Sequence, residues 1–163
     1  MKMRAELVER LNDCDDELKK IKERIDKNQF DDMVMFLQRY AIIKACGTIE
    51  FVTKNMIADY VDAGAIAEVQ NYISVKVRDS STNPSTGNIS NLLGEFSSKV
   101  WKVNFDKKIK VHGAEKVSLN SLVQLRNDFA HGKGPNTTIN TIICYFNDSR
   151  NIIKLVEETL NGI

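Results

Sequence analysis

The residues best suited to chemistry lie in one short segment, which reads Leu-Arg-Asn-Asp-Phe-Ala-His-Gly. It places an arginine, an asparagine, an aspartate and a histidine within six positions: Arg126, Asn127, Asp128 and His131. On a regular helix, with about 100° per residue, Asn127 and His131 share one outward strip, whereas Arg126 lies about 140° from His131. Because Gly132 follows His131 in the last turn, the histidine is free to bend away from regular geometry.

An arginine and a histidine that act together suit phosphodiester transfer. Histidine takes or gives a proton near neutral pH, and a guanidinium binds two phosphate oxygens and offsets the charge of the transition state. RNA supplies its own nucleophile. If His131 removes the proton of a ribose 2′-OH, attack on the adjacent phosphorus gives a 2′,3′-cyclic phosphate and a 5′-OH, with no metal or cofactor.

The same reaction needs an acid for the leaving oxygen, and the chain has only two histidines, His112 and His131. A two-fold homodimer that brings together both copies of His131 and of Arg126 supplies the base from one chain and the acid from the other. We therefore expect the helix from Ser118 to Gly132 to line a cleft shared by two protomers.

The segment Arg126 to His131 resembles the Arg-(four to six residues)-His signature of the HEPN superfamily, including the polar residue directly after the arginine, here Asn127. An upstream helix with Gly47-Thr48-Ile49-Glu50 and the glycine-rich turn before a final helix are also similar to that family. The resemblance extends in architecture over most of residues 28–161. It implies an RNA-cleaving dimer, serving as a toxin or antiviral-defence effector with a cognate antitoxin or a neighbouring defence protein as partner.

Each of these residues also has a plainer interpretation. His131 is placed to cap the end of a helix, and Arg126 to form an ion pair at the core edge with Glu50 or Asp128. Glu50 is either such a buried partner or a residue that orients Arg126 indirectly. Asp128 points away from the strip of Asn127 and His131, which favours a surface or intrahelical partner for it. His112 is expected to be a solvated loop residue, with RNA contact or proton transfer as the lesser alternative.

Lysines concentrate in one region of the chain. With Lys102 just before it, the stretch 104–116 is expected to be irregular and to hold an RNA backbone beside the cleft. Its lysines are Lys107, Lys108, Lys110 and Lys116. We take Lys108, Lys110 and Lys133 as candidate substrate-binding residues.

Apolar periodicity predicts the helices that must position these groups, and it indicates an all-α, antiparallel helical bundle of the HEPN type with an additional N-terminal helix. The N-terminal helix lies within residues 1–27, and its seam is better suited to docking on a bundle than to a coiled coil. The seam comprises Leu7, Leu11, Cys14, Leu18, Ile21 and Ile25.

A second helix, capped by Asn28, carries a buried stripe formed by Phe30, Met33, Val34, Leu37, Tyr40 and Ala41. A shorter helix covers 65–77, and the polar stretch that follows predicts a flexible loop over 79–90. The helix with the Arg–His segment opens at Ser118 or Asn120 and stops at Gly132, Gly134 and Pro135. Its core-facing residues are Leu122, Leu125 and Phe129. Thr137 or Thr138 caps the final helix.

Length and composition limit the number of domains and the kinds of function. The 163 residues suit one domain over 1–163, and a net charge of only +1 leaves nucleic-acid binding to a local basic patch. Three scattered cysteines argue against a disulfide framework or a zinc site, so we expect no metal and a cytoplasmic location. No apolar run reaches the length of a membrane span.

Two hypotheses follow. The first is a metal-independent endoribonuclease acting as a homodimer, and the second is a non-catalytic HEPN module for dimerisation and for binding RNA, nucleotide or protein. A purely structural four-helix adaptor is a weaker third alternative.

Overall fold

The computed structural model describes residues 2–97, 99–134 and 137–163, and helices account for most of them. The α-helices are α1 (Ala5–Lys27), α2 (Met33–Val61), α3 (Ala67–Ile73), α4 (Thr86–Phe96), α5 (Val100–Val111), α6 (Gly113–Ala130) and α7 (Ile139–Leu160). One turn of π-helix, Ser74–Arg78, continues α3. The described ranges contain no strand, which confirms the predicted all-α fold.

The apolar seam of α1 forms one wall of the core. All six of its predicted members are buried, and α1 packs on both α2 and α7. The backbone N–H of Met3 donates to Glu157 Oε1 at 2.7 Å, so the residues that precede α1 contact the last turns of α7. The helix therefore completes the bundle, as the docking interpretation requires.

The start of α2 differs from the prediction. Asn28 ends α1, with its backbone N–H bonded to the Ile25 carbonyl, and α2 begins five residues later. Phe30 is completely exposed, and Met33 and Tyr40 are also exposed, so the predicted buried stripe is wrong for the first turns. It becomes correct from Ala41 onward, where α2 enters the core and continues past Gly47 without a break.

The lysine-rich stretch 104–116 is helical, so the predicted irregular segment is wrong. Phe105 and Ile109, four residues apart, are buried on one face of α5, while Lys107 and Lys110 are exposed. This is the ordinary pattern of an amphipathic helix. The lysines occupy its solvent face, which explains why composition alone suggested a loop.

The starts of two other helices also differ from the prediction. Helix α4 begins at Thr86, capped by Ser85, so the predicted loop over 79–90 is too long at its end. Helix α6 begins at Gly113, one turn before the predicted start at Ser118. The cap of α7 is Thr138, whose hydroxyl accepts from the Thr141 N–H. Pro135 lies outside the described residues.

Within the described ranges, no helix combines the length and the apolar character that crossing a bilayer requires.

Candidate active site

Helix α6 carries the segment that the sequence singled out. Leu119 and Leu122 are fully buried, and this face packs against α7 and α2. Leu125 and Phe129 are only half-buried, so the core-facing strip loosens toward the C-terminal end of the helix. That end therefore presents its side chains at the surface of the bundle rather than inside it.

Arg126 is held by a residue that the sequence did not suggest. Its Nη1 donates to Asn83 Oδ1 at 2.7 Å, and the Nδ2 of the same asparagine donates to Asn127 Oδ1 at 3.1 Å. One carboxamide thus bridges two consecutive residues of α6. Because a guanidinium has five N–H donors, the bond to Asn83 leaves others for a phosphate.

The segment 79–85, which carries Asn83, is bonded to its surroundings. The Asn83 carbonyl accepts from Asn88 Nδ2 at 2.9 Å, and the Thr82 N–H donates to Glu50 Oε1 at 3.2 Å. Lys54 donates to the Ser80 carbonyl and also pairs with Glu50 at 3.1 Å. These bonds tie the segment to α2 and α4, so Asn83 has a defined position against α6.

Glu50 therefore does not form the predicted ion pair with Arg126. Its carboxylate accepts from Lys54 and from the backbone next to Asn83, which corresponds to the alternative of an indirect orienting role. Arg126 instead lies near Cys46 of α2. Burial raises the pKa of the Cys46 thiol to about 12, and the positive charge of Arg126 opposes that rise.

His131 closes the helix through its backbone. Its N–H donates to the Asn127 carbonyl at 3.1 Å, and Gly132 follows in the left-handed region at φ +78°. The N–H groups of Gly132 and Lys133 then donate to Phe129 and Asp128, which completes a Schellman motif. The imidazole itself is exposed, and within the described ranges it has no hydrogen bond or ion pair.

The structure thus brings Arg126 and Asn127 together but gives no direct bond between Arg126 and His131 of one chain, among the residues it describes. Arg126 faces the 79–85 segment and α2, whereas the His131 imidazole faces solvent. The bend that Gly132 was expected to permit produces no hydrogen bond between the two side chains in the described ranges.

Asp128 has its own partners and is not the ion-pair partner of Arg126. Lys133 Nζ and Gln124 Nε2 each lie 3.0 Å from Asp128 Oδ1. The hydrogen bond from Lys133, and then that from Gln124, lower the pKa of the Asp128 carboxyl. The Lys133 side chain remains 69% exposed, so it is still accessible beside His131.

The candidate lysines of α5 point in different directions. Lys108 pairs with Glu158 of α7 at 3.1 Å, which occupies its charge within the bundle. Lys110 lines an open groove of about 590 Å³ between α5 and α6, together with Lys116. His112 lies at the junction of these helices, and its Nδ1 is 3.3 Å from Glu115 Oε1, so it is not a free loop residue.

An exposed apolar face adjoins the end of α6 that carries His131. It lies on the first half of α2, where steps of three and four residues place Met33, Phe36, Tyr40 and Ile43 on one side of the helix, and we call these four residues the α2 apolar face. Arg39 joins this face to α6, because its guanidinium lies 5.4 Å from the Phe129 ring and 6.0 Å from the Phe36 ring. Neighbouring exposed apolar side chains of this kind commonly mark an interaction surface.

Metal ligands are not gathered in the described part of the chain. No group of three or more His, Cys, Asp or Glu side chains lies close enough together there to hold an ion. The cysteines are all free thiols, with Cys14 and Cys46 in the core.

Comparison with known proteins agrees with the helical architecture. The family model described as RiboL-PSP-HEPN matches residues 9–162, which is nearly the whole chain and includes every helix discussed above except the first turn of α1. Comparisons with curated proteins and with solved structures gave no significant match. The chain therefore belongs to the RiboL-PSP-HEPN family, within the HEPN superfamily.

Proposed function

We propose that this chain is a metal-independent endoribonuclease that acts as a homodimer. The observation that carries the proposal is the end of α6, where Arg126 is fixed by Asn83 while the His131 imidazole stays exposed and unpaired within the described ranges. A fixed cation suits phosphate binding, and an unpaired imidazole is available for proton transfer.

In the proposed reaction, His131 of one protomer removes the proton from the ribose 2′-OH. The 2′-oxygen then attacks the adjacent phosphorus, the bond to the 5′-oxygen breaks, and His131 of the second protomer protonates that leaving oxygen. Arg126 stabilises the negative charge that grows on the phosphoryl oxygens. The products are a 2′,3′-cyclic phosphate and a 5′-OH, and no other reactant is consumed.

A chelator experiment tests this function directly. Purified protein is incubated with total RNA in excess EDTA, beside the His131→Ala variant. We expect cleavage by the wild-type protein only, with cyclic phosphate ends. Loss of cleavage in EDTA that Mg²⁺ or Mn²⁺ restores would overturn the metal-independent mechanism.

The dimer is proposed to form through the α2 apolar face. This face lies next to the end of α6 through Arg39 and Phe129, so pairing two copies across it brings both His131 residues toward one cleft. A two-fold interface uses the same patch on each protomer, which a single exposed face satisfies.

We expect Phe36→Asp to convert a dimer into a monomer, because a buried charge at an aromatic contact costs about 2 kcal/mol or more. Light scattering after gel filtration at micromolar concentration measures the change. Tyr72→Asp is the matched control, since Tyr72 is an exposed aromatic on α3. A monomeric wild-type protein, or a dimer that Phe36→Asp leaves intact, would contradict the proposed interface.

For substrate binding we propose Lys110 and Lys133, whose exposed side chains lie at the α5–α6 groove and beside His131. Lys108 is the weakest of the three candidates because it pairs with Glu158 and its side chain is only 26% exposed, whereas Lys133 stays 69% exposed in its pair with Asp128. Such contacts hold the RNA backbone without reading its sequence.

The second candidate function is a non-catalytic HEPN module that dimerises or binds RNA, nucleotide or protein. Within the described ranges Arg126 bonds to Asn83 and not to His131, which favours this alternative, since a binding module needs no coupled arginine–histidine pair. RNA binding without cleavage, equal in wild type and His131→Ala, would identify this alternative.

We further propose that the protein acts in the cytoplasm as a toxin or antiviral-defence effector, with an antitoxin or a neighbouring defence protein as partner. This setting rests on family resemblance alone. Induced expression of wild type should arrest growth, and His131→Ala should not.

A further inference from the structure

A polar cavity lies beside the candidate active site and shares a residue with it. The cavity has a volume of about 330 Å³ and lies between α2, α4 and the 79–85 segment. Asn83, which holds Arg126 and Asn127, is part of its lining, as is Glu50. A ligand in this cavity would therefore sit one side chain away from the proposed catalytic residues.

We propose that this cavity binds one unpaired nucleobase of the RNA substrate, next to the phosphate that is cleaved. The inference rests on the proposed function and adds a site that selects which base lies next to the cleaved bond. Enzymes and binding proteins that read single-stranded RNA splay a base out of the strand and hydrogen-bond its edge.

The charge of the lining favours a neutral ligand. Two carboxylates, Glu50 and Glu95, face two ammonium groups, Lys54 and Lys76, so the charged side chains balance. Glu50 and Lys54 already pair with each other at 3.1 Å. A phosphate group finds no excess of positive charge in this lining, whereas an uncharged base needs none.

The hydrogen-bonding groups left over suit the edge of a base. Asn88 uses Nδ2 for the Asn83 carbonyl, and Asn91 uses Oδ1 to accept from Lys102 at 2.6 Å. Within the described residues this leaves the Asn88 oxygen as an acceptor and the Asn91 nitrogen as a donor. Bases present donors and acceptors side by side, and carboxamides are among the side chains that read them.

Thr53 gives an independent sign of a missing partner. It lines the cavity, its side chain is only 2% exposed, and its hydroxyl has no hydrogen bond in the described part of the chain. A helical threonine commonly bonds the carbonyl four residues earlier, and Thr53 does not. Because an unsatisfied buried hydroxyl destabilises a protein, a ligand atom is the natural partner for it.

The π-helical turn also borders this cavity. It carries Lys76 to the rim, and Ser80, two residues beyond the turn, donates its hydroxyl hydrogen to the Val77 carbonyl at 2.8 Å. Single π-turns occur frequently at functional sites, since their geometry persists only where the surroundings fix it. The apolar side chains Ile89 and Leu92 complete the lining and offer surface for the faces of a base.

Thr53→Val is the informative variant because it keeps the shape of the side chain and removes only the hydroxyl. We expect it to raise the melting temperature of the free protein and to weaken nucleoside binding about tenfold, the value of one hydrogen bond. Asn91→Ala, at the exposed rim, should weaken binding as well. Thr48→Val is the matched control, since Thr48 is equally buried on α2 but lies outside this cavity and bonds to Cys14.

The binding measurement uses adenosine, guanosine, cytidine and uridine as probes, titrated into the full chain by calorimetry. At least one nucleoside should bind wild type and Thr48→Val equally, and Thr53→Val and Asn91→Ala more weakly. If none of the four binds at millimolar concentration, or if Thr53→Val and Asn91→Ala both bind like wild type, the proposal is wrong. A lower melting temperature for Thr53→Val would also count against it, because the hydroxyl would then have a protein partner.

A second measurement separates this inference from the proposed function. The cleaved ends of a random-sequence RNA are sequenced for wild type and Thr53→Val. We expect the wild-type protein to prefer a particular base beside the cleaved bond, and Thr53→Val to show a weaker preference. Cleavage with an unchanged preference refutes the base-binding cavity and leaves the ribonuclease intact, whereas absence of any cleavage refutes the ribonuclease, and the nucleoside titration alone then decides the cavity.

Discussion

Replacing His131 with alanine is expected to reduce RNA cleavage by about 10² to 10⁴-fold while RNA affinity stays unchanged, since general acid–base catalysis acts only in the transition state. The stability of the folded protein should not change. The imidazole is exposed and forms no hydrogen bond or ion pair within the described ranges, and the bonds that close α6 come from the backbone of residues 131–133. Single-turnover cleavage and filter binding on the same labelled RNA give the two values.

The control for this experiment is His112→Ala, which removes the other histidine of the chain. His112 lies at the start of α6 and pairs with Glu115, so we expect it to keep wild-type cleavage. If His131→Ala cleaves like wild type, or if the products carry 3′-OH and 5′-phosphate ends, the cyclising mechanism is wrong. His131 is then a helix cap and nothing more.

Arg126→Ala is expected to lower both RNA affinity and cleavage, with cleavage falling by about 10² to 10³-fold, the usual cost of removing a group that stabilises transition-state charge. Arg126→Lys should be severely impaired as well. A lysine keeps the charge, but it lacks the planar fork that binds Asn83 through one nitrogen and a phosphate through others. Cleavage rates and filter binding for both variants measure these losses.

Arg150→Lys provides a matched comparison. Arg150 Nη2 donates to Asn12 Oδ1 at 2.9 Å, which is also an arginine–asparagine bond, but it joins α7 to α1. We expect this variant to cleave and bind RNA normally. Wild-type cleavage by Arg126→Lys would show that a bidentate arginine is not required and would return Arg126 to a structural role.

Local periodicity predicted the parts of the fold that apolar burial determines. The seam of α1 is an example, because residues at alternating steps of three and four on a charged helix have one face to bury. A second part was predicted from residue type rather than periodicity. Helix α6 stops where expected, because Gly132 adopts a positive φ that other residues rarely adopt.

Apolar periodicity gave a wrong prediction where a helix with an exposed apolar face has the same sequence pattern as a helix with a buried one. Met33 and Tyr40 of α2 belong to the predicted core stripe, yet both are exposed. A helix that buries its face against a partner has the same sequence pattern as one that buries it in its own core, so the pattern does not separate the two. In α5 the error was the reverse, because the lysines around Phe105 and Ile109 masked a real amphipathic helix.

The missing member of the candidate site, Asn83, had no local signal at all. It lies 43 residues before Arg126, in a polar segment whose composition indicates flexibility. Its position follows from its own bonds to Asn88 and α6 and from the bond of the preceding Thr82 to Glu50, which only the folded chain brings together. The sequence therefore identified the residues on α6 but not the one that fixes Arg126.

The contact between the residues before α1 and the last turns of α7 has a consequence for synthesis on the ribosome. Met3 and Glu157 are 154 residues apart in sequence, and α7 packs on α1, α2, α5 and α6. Contacts of such long range form last, so the helix that carries His131 lacks its main packing partner until α7 has emerged from the exit tunnel. The end of α6 that carries the proposed catalytic residues is therefore expected to take its final form only once residues 139–160 are available to pack against it.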